Sequence, residues 1–230
     1  MEAATTLLLR LEGMLQSYGS NSLGPVRETA LEPSKAAVLG MALGAIGKDR
    51  DSDGQDGLPT LAEFAALKMG VVVDREGTIL SDFQTVGSKM KDKSGEMLAL
   101  PKGDGSHRPK GVGLCFTKHY LSEASFLVGL EGDRALLEMI ADALKRPRWS
   151  PCLGRRGCFP SVPIRLPDGG IRNLPLEKAL RGEPKIHGRK RFVIEVLPGE
   201  GTRRCNDVPL DFSSLTRRFG MREIKEWIED

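Results

Sequence analysis

The residues best suited to chemistry stand at the head of one apolar segment. Pro33-Ser34-Lys35 leads into Ala36-Ala37-Val38-Leu39-Gly40-Met41-Ala42-Leu43, which reads as a helix running to Gly47. Ser34 is placed as its N-cap, because a serine hydroxyl accepts from the first unpaired backbone N–H groups. Those donors, the hydroxyl and the Lys35 ammonium together suit a phosphate. The same residues also describe an ordinary capped core helix, and nothing local separates the two readings. Gln16, Ser17 and Tyr18 sit just after a first strand and would rim the same position from a neighbouring loop, where Tyr18 either stacks a base or packs half-buried. Arg27 and Thr29, in the loop before the helix, would close the site or simply be solvated. A second constellation is Lys118-His119, since histidine is a side chain suited to general acid or base work; an ordinary surface pair is the better reading of it.

Two motifs that suggest metal fail on inspection. Asp49, Asp51 and Asp53 with Gly54 copy the opening of a calcium loop, but Thr60 stands where a bidentate Glu is needed and Asp56 where an apolar residue is usual. Cys115, Cys152, Cys158 and Cys205 show no CxxC spacing and are expected as thiols in a reducing compartment. No metal and no cofactor is therefore expected.

The elements that must position these residues follow from periodicity. Thr6–Leu11 is a short apolar strand, and Gly13, Gly19 and Gly24 keep the chain loose until the helix. Thr60-Leu61-Ala62-Glu63 is a capping box that opens a short helix through Lys68. Met69–Asp74 is continuous and β-branched, hence a buried strand, and after a turn at Arg75-Glu76-Gly77 residues Ile79–Val86 stay extended. Residues 113–117 and 125–130 read as strands. Asp133 caps a helix with Leu136, Leu137, Ile140 and Leu144 on one face, ending before Pro147, and a last strand is expected near Cys152-Leu153. Leaving aside the small capped helix, the order is β-α-β-β-α-β, an α+β chain with the ferredoxin-like, or RRM-like, plan. This predicts one domain over 1–156 with an insertion at about 83–117, and a small irregular C-terminal module over 157–230. That module has one clear strand at 191–196, and Met221, Ile224, Trp227 and Ile228 fit either a helical stripe or a short strand.

Composition bounds the rest. A chain of 230 residues with 40% hydrophobic and 28% charged residues is an ordinary globular protein able to bury a core. No run is long and apolar enough for a membrane span and no signal peptide is evident, so the cytoplasm is the expected compartment. The formal charge of +3 says little, but basic residues gather at 145–156, 185–191, 203–204 and 217–218, a nucleic-acid footprint only if they meet on one face. Residues 87–110 carry Lys89, Lys91, Lys93, Lys102, Arg108 and Lys110 among glycines and prolines with few apolar residues. Such a segment cannot bury itself; it is a disordered insertion or an arm that orders on a partner.

A resemblance to a known family runs through the same residues. Leu8–Gly19, Arg27-Glu28-Thr29, Pro33–Gly40, Asp82-Phe83-Gln84-Thr85-Val86-Gly87, Tyr120–Phe126 and Leu153-Gly154-Arg155-Arg156-Gly157-Cys158 resemble, in order, the CasD family of type I-E CRISPR Cascade subunits, within the RAMP superfamily. The resemblance covers most of 6–163 and weakens beyond. It implies a ferredoxin-like core with a protruding thumb, and a non-catalytic subunit that binds the 5′ handle of the guide RNA (crRNA), caps the backbone of repeated subunits and contacts the large subunit. Under it, Thr85, Val86, Lys89 and Arg108 lie on a thumb that wedges against RNA, and Arg155 and Arg156 meet RNA or a neighbouring subunit. The RNA-binding set expected from residues and resemblance together is Gln16, Ser17, Tyr18, Arg27, Thr29, Ser34, Lys35, Thr85, Val86, Lys89, Arg108, Arg155 and Arg156. A related branch cleaves precursor crRNA without metal, with a tyrosine on the first helix and a Lys-His pair. Lys118-His119 match that pair, but the helix from Ser34 to Gly47 has no tyrosine, so a metal-independent endoribonuclease is the alternative rather than the expectation.

Overall fold

The computed structural model describes residues 4–19, 24–51, 53–54, 57–87, 90–102, 105–184, 188–213 and 216–229. In chain order the strands and helices are β1 (Thr5–Glu12), β2 (Leu15–Gln16), β3 (Tyr18–Gly19), β4 (Val26–Arg27), β5 (Thr29–Ala30), α1 (Lys35–Ile46), α2 (Leu61–Ala66) and β6 (Lys68–Arg75). There follow β7 (Thr78–Val86), β8 (Leu114–Ser122), β9 (Ser125–Gly132), α3 (Arg134–Lys145), β10 (Ile171–Arg172), α4 (Leu176–Gly182), β11 (Lys190–Val196), β12 (Arg203–Asp211) and β13 (Arg218–Glu229).

A seven-stranded sheet of order β10-β1-β9-β6-β11-β13-β12 carries the fold, and every neighbouring pair in it is antiparallel. β1 and β6 therefore run parallel with β9 inserted between them. Because strand side chains alternate between faces, the apolar runs supply two cores. Leu7, Leu9, Leu11, Val71, Val73, Phe126 and Val128 face α1 and α3, while Leu8, Val72, Leu127, Phe192 and Ile194 face α4. Gly70 and Gly129 are register partners and let α4 close on the sheet: an added Cβ would lie 2.8 Å from Leu180 and 2.6 Å from Leu176, respectively.

The local signals act as expected at the helices. Ser34 Oγ accepts from the Ala37 N–H at 3.3 Å, Thr60 and Glu63 form both halves of a capping box, and Asp133 caps α3 through the Leu136 N–H at 2.9 Å. Two expectations need correction. Residues 152–153 form no strand; between Pro151 and Gly154 they make a tight loop, closed by the Leu153 N–H on the Cys158 carbonyl at 2.7 Å, and β10 flanks β1 instead. Residues beyond 157, expected as a separate irregular module, contribute β10, β11, β12 and β13 to the main sheet; of the two readings left open for the segment around Met221–Ile228, the strand is the one formed.

β7 pairs with the whole of β8 as a long hairpin outside that sheet, with β2 and β4 on the other edge of β8. Beyond its far end the described residues form two small turns, bridged at Lys91–Met97 and Pro101–His107. Phe83, Val86, Met90 and Met97 are exposed there. No helix among the described residues is long and apolar enough to cross a membrane.

Candidate nucleic-acid interface

The residues first expected to bind an anion are committed to the interior. Lys35 is 1% exposed, and its Nζ lies 3.0 Å from both carboxylate oxygens of Glu195. Burial pulls its pKa below the usual lysine value, against the opposing pull of Glu195. The chain itself supplies an anion to the start of α1: the Lys35 N–H donates to Asp207 at 2.7 Å, and Arg222 holds that carboxylate at 2.7 and 2.9 Å. The expected phosphate site at Ser34-Lys35 is thus corrected to a buried charge network joining α1 to β11, β12 and β13; only Ser34 stays partly open.

Gln16, Ser17 and Tyr18 are likewise buried. Gln16 Nε2 donates to the Ala124 carbonyl at 2.7 Å, and its amide oxygen accepts from the Tyr18 hydroxyl at 2.6 Å. The Tyr18 ring packs edge-to-face on Phe126, and burial raises its pKa well above the usual phenol value. Ser17 Oγ donates to the His119 carbonyl at 3.0 Å. These three side chains fasten the turn after β1 to β8 and β9, so Tyr18 offers no face to a base. Thr29 Oγ1 accepts from the Tyr18 N–H at 2.9 Å, which ties the β4–β5 strap to the same turn.

Arg27, Thr85, Val86 and Arg156 are exposed, and Arg108 is half-buried. Lys89 lies outside the described residues, as do Lys185 and His187 of the basic cluster at 185–191. Arg155 acts as a bracket: Nη2 donates to the Arg27 carbonyl at 2.9 Å and the Glu28 carbonyl at 3.3 Å, Nη1 donates to the His119 carbonyl at 3.4 Å, and the guanidinium stands over the Tyr120 ring. It holds the strap carrying Arg27 across β8. Arg155→Ala is expected to raise amide hydrogen exchange of residues 26–30 at least tenfold while leaving β1 and β9 protected, as read by exchange mass spectrometry.

Much of the basic charge noted in the sequence is spent within the fold. Arg191 pairs with Glu32, Glu76 and Glu226, Arg203 with Glu32 and Arg204 with Glu223. Lys145, Arg146 and Arg148 remain exposed beside the end of α3. Lys118 and His119 are consecutive on β8, so their side chains leave on opposite faces; the Lys118 ammonium stands over Phe116 at 5.0 Å.

One groove of about 450 Å³ runs along the solvent side of α1, and Ser17, Ser34 and Arg155 reach its lining. Its remaining walls include Arg217, noted in the sequence only as part of the basic pair 217–218, and Arg50, Trp149, Phe212 and Phe219, which sequence reasoning did not single out. Its floor is unusual, because the side of α1 turned to solvent is built from Ala36, Ala37, Gly40 and Gly44. Each helical glycine costs about 0.5–1 kcal/mol relative to alanine. The i, i+4 spacing of Gly40 and Gly44 inside an apolar run, and Trp149 set between Pro147 and Pro151, are the signals that would have drawn attention here.

Comparison with known proteins gives four findings. The model of the CRISPR-associated protein family Cas_Cas5 matches residues 6–225. The CRISPR system Cascade subunit CasD of Escherichia coli (strain K12) is 28% identical over 225 residues, spanning 94% of this chain and 93% of that protein. Among solved structures, a Cas protein is 36% identical with TM-score 0.70, covering 97% of this chain and 94% of its own. A chain of a CRISPR RNA-guided surveillance complex is 29% identical with TM-score 0.74, covering 97% of this chain and 89% of its own.

Proposed function

The chain belongs to the CRISPR-associated Cas5 protein family, and from that membership we propose that it is a non-catalytic subunit of a type I-E Cascade surveillance complex, holding the 5′ handle of crRNA. It caps one end of the backbone of repeated subunits and contacts the large subunit. The observation that carries this reading is the end-to-end match to a Cascade CasD subunit, 94% of this chain against 93% of that protein. The fold is consistent with it. β1-α1-β6 and β9-α3-β10 form two interleaved β-α-β units in the order β10-β1-β9-β6, the strand arrangement of a ferredoxin-like core. The β7–β8 hairpin with its basic outer turns is the thumb.

In this reading Arg27, Arg108 and Arg156, with Lys89, neutralise phosphates, and Thr85 and Val86 press against the bases where the thumb meets RNA. Arg155 shapes the strap, and Lys35 serves the fold. The alternative, a metal-independent endoribonuclease, finds little support: α1 carries no tyrosine, and Lys118 and His119 face apart. The test is co-expression of the remaining complex subunits and a guide with and without this chain. With it, the first nucleotides of the guide are expected to resist nuclease digestion. Complexes that form normally and protect those nucleotides without it would overturn the proposal.

A further inference from the structure

We propose that the groove along α1 seats a single unstacked nucleobase of the bound RNA, lodged between Trp149 and the Phe212–Phe219 pair with its flanking phosphates on Arg50 and Arg217. The inference rests on the RNA-binding reading and assigns a site within it.

The floor of the groove is the first argument. Neither Gly40 nor Gly44 has the positive backbone angle that would demand glycine. An added Cβ at Gly40 would meet only Phe212 at 4.0 Å, and at Gly44 only Trp149 at 3.9 Å, both ordinary contact distances. The fold would therefore accept alanine at both positions, and alanine is the better helix former. What a methyl group would fill is the groove. Together with Ala36 and Ala37, the two glycines give α1 a solvent side with no charge and no side chain longer than a methyl, over which a planar group can slide against the backbone.

The walls and rim identify that group. Trp149 is 51% exposed and Phe219 39% exposed, and Phe219 is steadied edge-on by Phe212 at 6.3 Å between centroids. Exposed rings that bound an open groove are stacking platforms, and every base has a face to stack. Arg50 and Arg217 are exposed at the rim, and no carboxylate pairs with either among the described residues. Of the nearby acids, Asp53 is neutralised by Lys48 at 3.2 Å, which leaves Asp49 as the rim carboxylate against two free guanidinium groups. A volume of about 450 Å³ lies in the range of single small-ligand sites. Aromatic walls, a floor with no side chain longer than a methyl and unpaired arginines fit one nucleotide better than a peptide segment.

The experiment uses the full-length chain and single-stranded RNA carrying the 5′ handle, in a series with one abasic nucleotide at each handle position in turn. Filter binding is compared for wild type, Trp149→Ala and the double variant Gly40→Ala/Gly44→Ala. One abasic position is expected to weaken wild-type binding by roughly 5–100-fold. Trp149→Ala is expected to bind intact RNA that much more weakly and to lose its sensitivity to that position. The double variant is expected to melt about 1–4 °C higher per glycine replaced and yet bind at least fivefold more weakly. Wild-type affinity for intact RNA in both variants, with the abasic pattern unchanged, overturns the site while leaving the RNA-binding function in place. Unchanged RNA affinity with lost capture of another complex subunit overturns it in favour of a protein occupant. A wild type that does not distinguish handle RNA from unrelated RNA overturns the underlying function itself.

Discussion

Replacing Lys35 with alanine is expected to destabilise the protein by about 3–5 kcal/mol, the usual effect of removing one partner from a buried ion pair. The effect should fall toward the lower end, because Arg222 remains 3.6 Å from Glu195 and the Met69 N–H still donates to it. Urea unfolding measures it. Lys35→Met with Glu195→Gln should recover much of the loss, since the pair is then replaced by groups of similar shape without an isolated charge. RNA affinity per folded molecule should not change in either variant. A phosphate-binding lysine would behave oppositely: its removal would lower affinity and the salt dependence of binding, with little effect on stability. The two roles of Lys35 are thus separable on one protein preparation.

The second large effect concerns two cations without a carboxylate partner among the described residues. If Arg108 and Arg156 each neutralise one phosphate, removing both should weaken binding by roughly tenfold at 0.15 M salt and lower the slope of log K against log salt by about 0.7 per contact. Neither arginine has a carboxylate partner among the described residues, so the fold should tolerate both changes within about 0.5 kcal/mol. A salt series by filter binding, with urea unfolding as control, tests this. An unchanged slope returns the turns beyond the β7–β8 hairpin and the 155–156 loop to solvent.

The contrast between these residues explains which parts of the fold were legible. Caps and alternating apolar runs act through neighbours in sequence, and Ser34, Thr60, Glu63 and Asp133 all behave as their spacing predicts. The strands β1, β6 and β9 were readable for the same reason. The role of Lys35 depends on Glu195 and Asp207, more than 150 positions away, and no local pattern reports a partner at that separation. The choice between the two readings of Tyr18 was hidden for the same reason, since its burial depends on Phe126 and on Gln16 turning inward. The edge strand β10 is two residues long, too short for periodicity to register, while Cys152-Leu153 looked like a strand because its apolar character serves a buried loop. The groove was illegible because Gly40, Trp149 and Phe219 meet only in three dimensions. Its one local trace was a pair of glycines in a helix that did not need them.

The proposed function is to hold RNA, and holding differs from cutting. The most direct measurement is incubation of the full-length chain with end-labelled precursor guide RNA in EDTA, following binding and cleavage on the same samples. The account predicts retention of RNA that contains the 5′ handle, weaker retention of RNA without it, and no new ends over time. Specific cleavage within the repeat, abolished by His119→Ala, would contradict it.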